Sequence, residues 1–435
     1  MQSIRFFTAL RDDAQDAIEH IGHVDIVVGI PAFWSMESIE HVTRTVVRGL
    51  EKHYPTKRSL ILIADGGSTD DTREVARRVI ADAYNIHVLV SIYRGLAGKG
   101  SAIRAIFEAA KFLKAEYVAL FDSDLKSITP EWVKNVIEPV VEGYDFVAPD
   151  YLRHKFDGTI TNTIAYNLTR ALYGHKIRQP IGGDFGISAR LVSHYLTEDI
   201  WETDIARFGI DIWLTTVALV SDFKVCQTRL GVKIHGEKDP AADLGPMFRQ
   251  VVGTILALME VYDDHWKRVT STAKEVEFYG EVPNEEPPKM EIDKEALLQY
   301  FKLGYANFAT LWKEHIGEEA FAAVTALAAH QEGEPFRMPT EIWVRIVYRY
   351  AILFHNTERQ RFKILDTLIP LYYARVASLV ETLSDKSSQE AEAFYEEQAL
   401  VFEREKKVLV EGWNHNDETA EQPLGLKEYL GRIWR

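Results

Sequence analysis

Over the first 150 residues, short apolar runs alternate with stretches whose apolar residues recur every three or four positions. The runs at 24–30 (VDIVVGI), 60–64 (LILIA), 86–90 (IHVLV), 117–121 (YVALF) and 145–148 (DFVA) have strand length and β-branched enrichment. Helical spacing fills the gaps near 37–53, 70–84, 101–114 and 130–142. Strands alternating with helices predict a mainly parallel sheet covered on both faces. Ligands bind such sheets beyond the carboxyl ends of the strands. Asp65, closing the second run, and Asp122, following the fourth, therefore fall along one crevice.

The rhythm weakens over 151–250, where helices are expected at about 161–173 and 210–221 and a strand near 224–232. A helix at about 246–266 follows. The stretch 277–293 (EFYGEVPNEEPPKMEID) is acidic, carries prolines and has no periodicity, so it reads as a linker. From 294 to about 411 the pattern is almost wholly helical and ends in a polar tail. The expected organisation is an N-terminal helical extension over 1–23, an α/β domain over 24–276, a linker over 277–293 and a helical C-terminal domain over 294–435. No internal repeat is found. The last domain holds no motif tied to chemistry and reads as a packing or dimerising module.

A chain of 435 residues with 46% hydrophobic residues suits two globular domains. Its formal charge of −15 argues against a broad nucleic-acid or anionic-membrane surface. The one cysteine, Cys226, precludes an intramolecular disulfide or a thiolate zinc cluster and suits a small buried hydrophobe. There is no run of about 18 apolar residues and no signal-like apolar core near the start, so a cytoplasmic protein without transmembrane spans is expected.

Asp122 and Asp124 stand one residue apart directly after the fourth apolar run. One Asp there often caps a helix or closes a turn. Two repel each other, and a nearby cation favours ionisation of both. Hard oxygen ligands without cysteine suit Mg²⁺ or Mn²⁺. The segment GLAGKGSAIRAI (95–106) frees the backbone at a helix start, where unpaired N–H groups attract anions and Lys99 adds a point charge. The order Lys-Gly-Ser is not that of a Walker loop, and a glycine-rich turn with a solvated lysine is the plainer reading. Acids and helix start together point to a metal–diphosphate site.

IGGDFGIS (181–188) contains a kinase-like D-F-G, but no H-R-D-type loop or G-x-G-x-x-G strand accompanies it. Gly182 and Gly183 instead suggest close backbone approach to a ligand. Asp211, in RFGIDIWLTT, is either a helix N-terminal dipole partner or a substrate contact. His235 follows a predicted strand between Lys233 and Lys238, where an isolated histidine is usually a surface or core residue.

The ordered set Pro31-Ala32, DGGSTDDT, GKG, DSDL, GGDF, FGIDI, GVKIHGEK and LGPMFRQV resembles the retaining glucosyl-3-phosphoglycerate synthases and the related glucosylglycerate-making enzymes. These are metal-dependent glycosyltransferases of the GT-A fold, and the likeness covers about residues 24–265. It implies Asp124 as a metal ligand, Asp122 near ribose and metal, and His235 completing the metal site. Lys99 would hold the donor diphosphate, with Lys233 and Lys238 where the family has arginines. Pro31, Ala32 and Asp65 would line the nucleoside pocket, with Ser123 beside the nucleotide. Asp211 would face sugar or acceptor, Gly183 would donate from its backbone to the acceptor, and Asp184 and Thr161 would adjoin it. Asp124, Lys99 and Asp211 carry the expected catalytic roles.

Two departures qualify the resemblance. Trp34-Ser35 replaces the family's Asn-Glu pair after Pro-Ala-Leu, so the nucleoside contacts differ. In DGTITNT (157–163), Thr159 takes the place of the arginine that holds an acceptor phosphate, while Thr161 is kept. A lost guanidinium fork weakens phosphate recognition. The expected activity is transfer of a hexose, glucose first, from a UDP-, GDP- or ADP-sugar to D-glycerate. A divalent cation, Mg²⁺ or Mn²⁺, assists, and the anomeric configuration is retained with the departing phosphate oxygen as base. A homodimer is expected. Alternatives are mannosyl transfer, a 3-phosphoglycerate or lipid-linked acceptor, and a sugar-nucleotide-binding scaffold without catalysis.

Overall fold

The aliphatic runs become strands because a sheet with helices on both faces buries side chains pointing either way. A computed structural model describes residues 8–414 except 207, 208, 236–239, 271, 283, 284, 332, 358 and 359, so Lys238 lies outside the described residues. The strands are β1 Ile26–Ala32, β2 Ser59–Asp65, β3 Ile86–Ile92, β4 Tyr117–Leu120, β5 Phe146–Leu152, β6 Gly186–Ser188, β7 Val225–Val232 and β8 Phe278–Tyr279. They form one sheet in the order β3-β2-β1-β4-β6-β5-β7-β8. β6 runs antiparallel to both its neighbours and every other pair is parallel. Every residue of β2 is buried, as a central parallel strand requires.

The chain steps outward from β1 to β2 and β3, then returns to the other side of β1 for β4. This reversal is the point where open α/β sheets take ligands. β4 pairs with β1 only as far as Gly29 opposite Leu120, whereas β1 follows β2 to Ala32 opposite Asp65. Pro31 thus sits where β1 has one strand partner, a position that tolerates a missing N–H. The divergence opens the crevice beside the acid turn. Below it, Val28, Ile30, Ile61 and Ile63 pack with Val42, Val46, Trp132 and Val136 from two covering helices.

Several predicted elements change on folding. Residues 278–279, inside the stretch read as a linker, form β8 against Gln227 and Thr228. The expected helix over 70–84 is confined to Thr72–Arg77. The one over 161–173 begins as a π-helical turn, Thr161–Ala165, before Tyr166–Tyr173. The helix expected at 246–266 is two, Pro240–Val261 and Asp263–Arg268. After Lys294 the structure is helical, closing on Ser388–Asn414. No helix among the described residues is long and apolar enough to cross a membrane.

The chain forms two compact units. The first comprises Met1–Leu152, Ile177–Lys238 and Glu275–Pro287, and the second Arg153–Lys176, Asp239–Lys274 and Pro288–Arg435. Segments 153–176 and 239–274, assigned from sequence to the α/β domain, therefore group with the C-terminal helices. Polar contacts explain the grouping. Arg170, 1% exposed, pairs with Glu403 and, at 2.6 Å, with Glu396. Trp343 Nε1 donates to the Thr163 carbonyl at 3.0 Å, and Gln398 Nε2 to that of Asn162 at 2.7 Å. Lys406 donates to the carbonyls of Trp266 and Val269, both at 2.6 Å.

Candidate active site

β4 delivers the chain to buried Phe121 and then to the turn Asp122-Ser123-Asp124. The Asp122 N–H donates to Asp184 Oδ1 at 2.8 Å, which ties the turn to the loop before β6. Its carboxylate accepts from Lys99 Nζ at 2.7 Å and from Lys233 Nζ at 3.1 Å. Lys99, the first residue of the helix Lys99–Phe112, also stands 3.0 Å from Asp211 Oδ1 and 3.1 Å from Oδ2. Lys233 reaches Asp184 Oδ2 at 3.0 Å and the Gly182 carbonyl at 2.9 Å. Tyr151, at the end of β5, donates to Asp184 as well. Carboxylates and ammonium groups thus alternate from Asp211 through Lys99, Asp122 and Lys233 to Asp184.

Burial favours the neutral form of Asp122, but Lys99 and Lys233 outweigh it and hold the carboxyl well below the usual range. Burial likewise disfavours the Lys99 cation, yet Asp122 and Asp211 raise it far above an ordinary lysine. Asp184 and Asp211 are pushed upward by burial, which their lysine partners only partly offset. Asp211 Oδ1 is buried without a hydrogen bond, despite the nearby ammonium.

The expected metal trio is distributed differently. Lys126 N–H donates to the Ile234 carbonyl at 2.8 Å, Ile234 N–H donates to Ser127 Oγ at 2.9 Å, and Leu125 bridges His235 antiparallel. The backbone thereby brings His235 beside Asp124. Asp122 faces the two lysines. Among the described residues no three His, Cys, Asp or Glu side chains converge tightly enough to hold a metal ion. Asp124 and His235 would offer one oxygen and one nitrogen donor to a divalent cation.

Other predicted residues have their own partners. Asp65 is fully buried and accepts from Gly67 N–H at 2.8 Å, Ser68 N–H at 2.9 Å and the Ser68 hydroxyl at 2.6 Å, so its carboxylate shapes the loop after β2. Ser123 shares a hydroxyl contact of 2.7 Å with Ser35. Lys233, expected beside a diphosphate, has only 4% of its side chain exposed and serves as counter-ion beneath the acids. Gly183 has φ of 90°, and a Cβ there would lie 2.5 Å from Asp122 Oδ2. The close approach inferred from this glycine is therefore made to Asp122. Thr161, 9% exposed, belongs to the second unit. Tyr151 was missed by sequence reasoning; only its place at the end of a strand could have marked it.

Residues 27–194 match the model of Glycosyl transferase family 2. This segment, less than half of the chain, resembles a family 2 glycosyltransferase domain. It contains β1 to β6 and the acid turn, with Lys99 and Asp184. The chain is 28% identical over 231 residues to glucosyl-3-phosphoglycerate synthase of Mycolicibacterium paratuberculosis, covering 47% of this chain and 64% of that protein. It is 32% identical over 129 residues to the glycosyltransferase AglJ of Haloferax volcanii, covering 28% and 39%. Among solved structures, glucosyl-3-phosphoglycerate synthase from Mycobacterium tuberculosis in complex with Mn²⁺, UDP and glucosyl-3-phosphoglycerate is 25% identical. That alignment covers 58% of this chain and 86% of the other, with a TM-score of 0.42.

Proposed function

We propose that the chain transfers a hexose, glucose first, from a nucleoside diphosphate sugar to a hydroxyl of D-glycerate, with retention at the anomeric carbon. The observation that carries this reading is the coincidence of a segment resembling a family 2 domain with an acid turn at the sheet's switch point, flanked by Lys99 and Asp211. In the reaction the bond between the anomeric carbon and the diphosphate oxygen breaks. The acceptor oxygen bonds to that carbon from the same face, and its proton passes to the departing phosphate. A divalent cation held by Asp124 and His235 supplies the charge that stabilises the leaving group. Lys99 adds a second positive group there. Asp211 Oδ1 takes a hydrogen bond from the incoming hydroxyl and orients it.

The acceptor is read from position 159. The mycobacterial relative is named for a phosphorylated product. Here a hydroxyl, hydrogen-bonded to that of buried Tyr372, stands where the resemblance implies a guanidinium. A neutral pair does not recognise phosphate as a bidentate fork does.

The test supplies purified protein with UDP-, GDP- and ADP-glucose, Mn²⁺ or Mg²⁺, and either glycerate or 3-phosphoglycerate, with NMR of the product. The expected product is an α-glucosylglycerate from an α-linked donor. Faster transfer to 3-phosphoglycerate overturns the acceptor; a β-linked product overturns retention. Asp124→Ala and His235→Ala are each expected to lower turnover by roughly 10²-fold or more, and normal turnover by either removes it from the cation site.

A further inference from the structure

Residues 95–98 join β3 to the helix Lys99–Phe112 and deliver Lys99 to Asp122 and Asp211. Their sequence, Gly-Leu-Ala-Gly, has no polar side chain, and its glycines allow a wide choice of backbone conformations. Gly95 uses that freedom, with φ of 132°, and turns back so closely that a Cβ there would lie 3.0 Å from Ser101 Oγ. Packing leaves one flank of the loop open. A cavity of about 500 Å³ there is lined by Arg11, Asp12, Asp13, Tyr93, Arg94 and Gly95. Hydrogen bonds from outside the loop fix its two ends. At the exit, Gly98 N–H donates to the Tyr93 hydroxyl at 3.0 Å. At the entrance, Arg94 N–H donates to the Ala9 carbonyl at 2.7 Å. The Arg94 guanidinium donates to the Leu10 carbonyl at 3.1 Å and to Asp12 Oδ1 at 2.9 Å. Ala9 is fully buried. Its N–H and the Thr8 hydroxyl donate to Glu108 Oε2 at 2.7 and 2.6 Å, on the same helix that Lys99 begins. Residues 8–10 thus tie the residue before the loop to the helix after it.

We infer that Tyr93 and Arg94, with residues 8–10 braced on Glu108, are positioning residues that hold Lys99 against Asp122 and Asp211. They act through the backbone of the loop. A segment with two glycines and no polar side chain cannot order itself, so its ordering comes from residues distant in sequence. That ordering matters for charge stabilisation. An ammonium helps a departing anion most when it already stands where the charge develops, and a lysine on a wandering loop loses that advantage. The consequence for hexose transfer rests on the function proposed above, whereas the effect on Lys99 itself does not.

Amine acetylation of the full chain, followed lysine by lysine with mass spectrometry, tests this. The reagent attacks a neutral amine, so an ammonium locked between two carboxylates reacts slowly. Tyr93→Phe, Arg94→Met and Glu108→Met should each speed acetylation of Lys99 by roughly 2- to 10-fold, the range that a lost hydrogen bond or two allows. Buried Lys233 should react as in wild type. Glu108→Gln, which keeps an acceptor oxygen for Ala9 and Thr8, should leave Lys99 close to its wild-type rate. Hexose transfer should fall in the first three variants through kcat, with KM for the acceptor unchanged. Lys99 reacting at the wild-type rate in all three overturns the inference. So does an equal rise at Lys233, which would mean that the whole sheet has loosened. A rise in Tyr93→Phe alone overturns the part given to residues 8–10. Wild-type protein that transfers no hexose overturns the function proposed above, and the labelling then decides the positioning by itself.

Discussion

Lys233 keeps its charge almost out of water because Asp122, Asp184 and the Gly182 carbonyl surround it. Removing one member of such a set strands the others. Lys233→Met should therefore cost about 3–5 kcal/mol, the scale for a buried charge losing its partner, read as a lower midpoint in urea. The double variant Lys233→Met/Asp184→Asn should recover part of the loss. If the single variant melts like wild type, the ammonium is not the counter-ion described. The acids themselves were legible in the sequence, since paired carboxylates after an apolar run need a reason. Their partners were less so. Lys99 and Asp211 are 112 residues apart, and no local pattern reveals that they share a hydrogen bond. Asp65 shows the converse limit. Its chemistry suits a ligand contact, but folding satisfies it with the loop it begins.

Among the elements, the long strands and their helices were readable because burial on both faces leaves continuous aliphatic runs. The shortest were not. β6 has three residues and β8 two, too few for any period to show, and β8 lies in a proline-bearing acidic stretch. Both depend on neighbours distant in sequence. At Gly186 in β6, a Cβ would fall 2.2 Å from the Val136 carbonyl and 3.0 Å from Val147 Cβ. Gly186→Ala must therefore push the helix Pro130–Val141 or β5 aside. The expected loss is about 1–3 kcal/mol in chemical denaturation. Because Asp184 lies two residues earlier, turnover should fall in the same variant. A variant as stable and active as wild type would show that the helix and sheet yield there freely.

On the scale of the whole chain, the second unit contains a titration that stability should report. Burial lowers the Lys406 ammonium to about 8, with Glu403 opposing only weakly. Its folded value lies below its ordinary 10.5, so the charged form destabilises the fold at all pH values below about 8. Between about 8 and 10.5 the folded protein releases its proton while the unfolded chain keeps it, and stability rises with pH. Denaturation midpoints measured from neutral pH to 10 should therefore climb more steeply in wild type than in Lys406→Met; equal slopes would remove Lys406 from the account.

The units recorded above also constrain how this chain can be divided or recombined. Because Arg153–Lys176 and Asp239–Lys274 belong with the helices, the polypeptide passes back and forth instead of finishing one body before starting the other. A cut after residue 287 would strip Arg170 of both glutamates and remove the Trp343 and Gln398 donors from the Thr163 and Asn162 carbonyls. No single crossover in the gene could graft these helices onto another transferase, or trim them away, without carrying pieces of both bodies along.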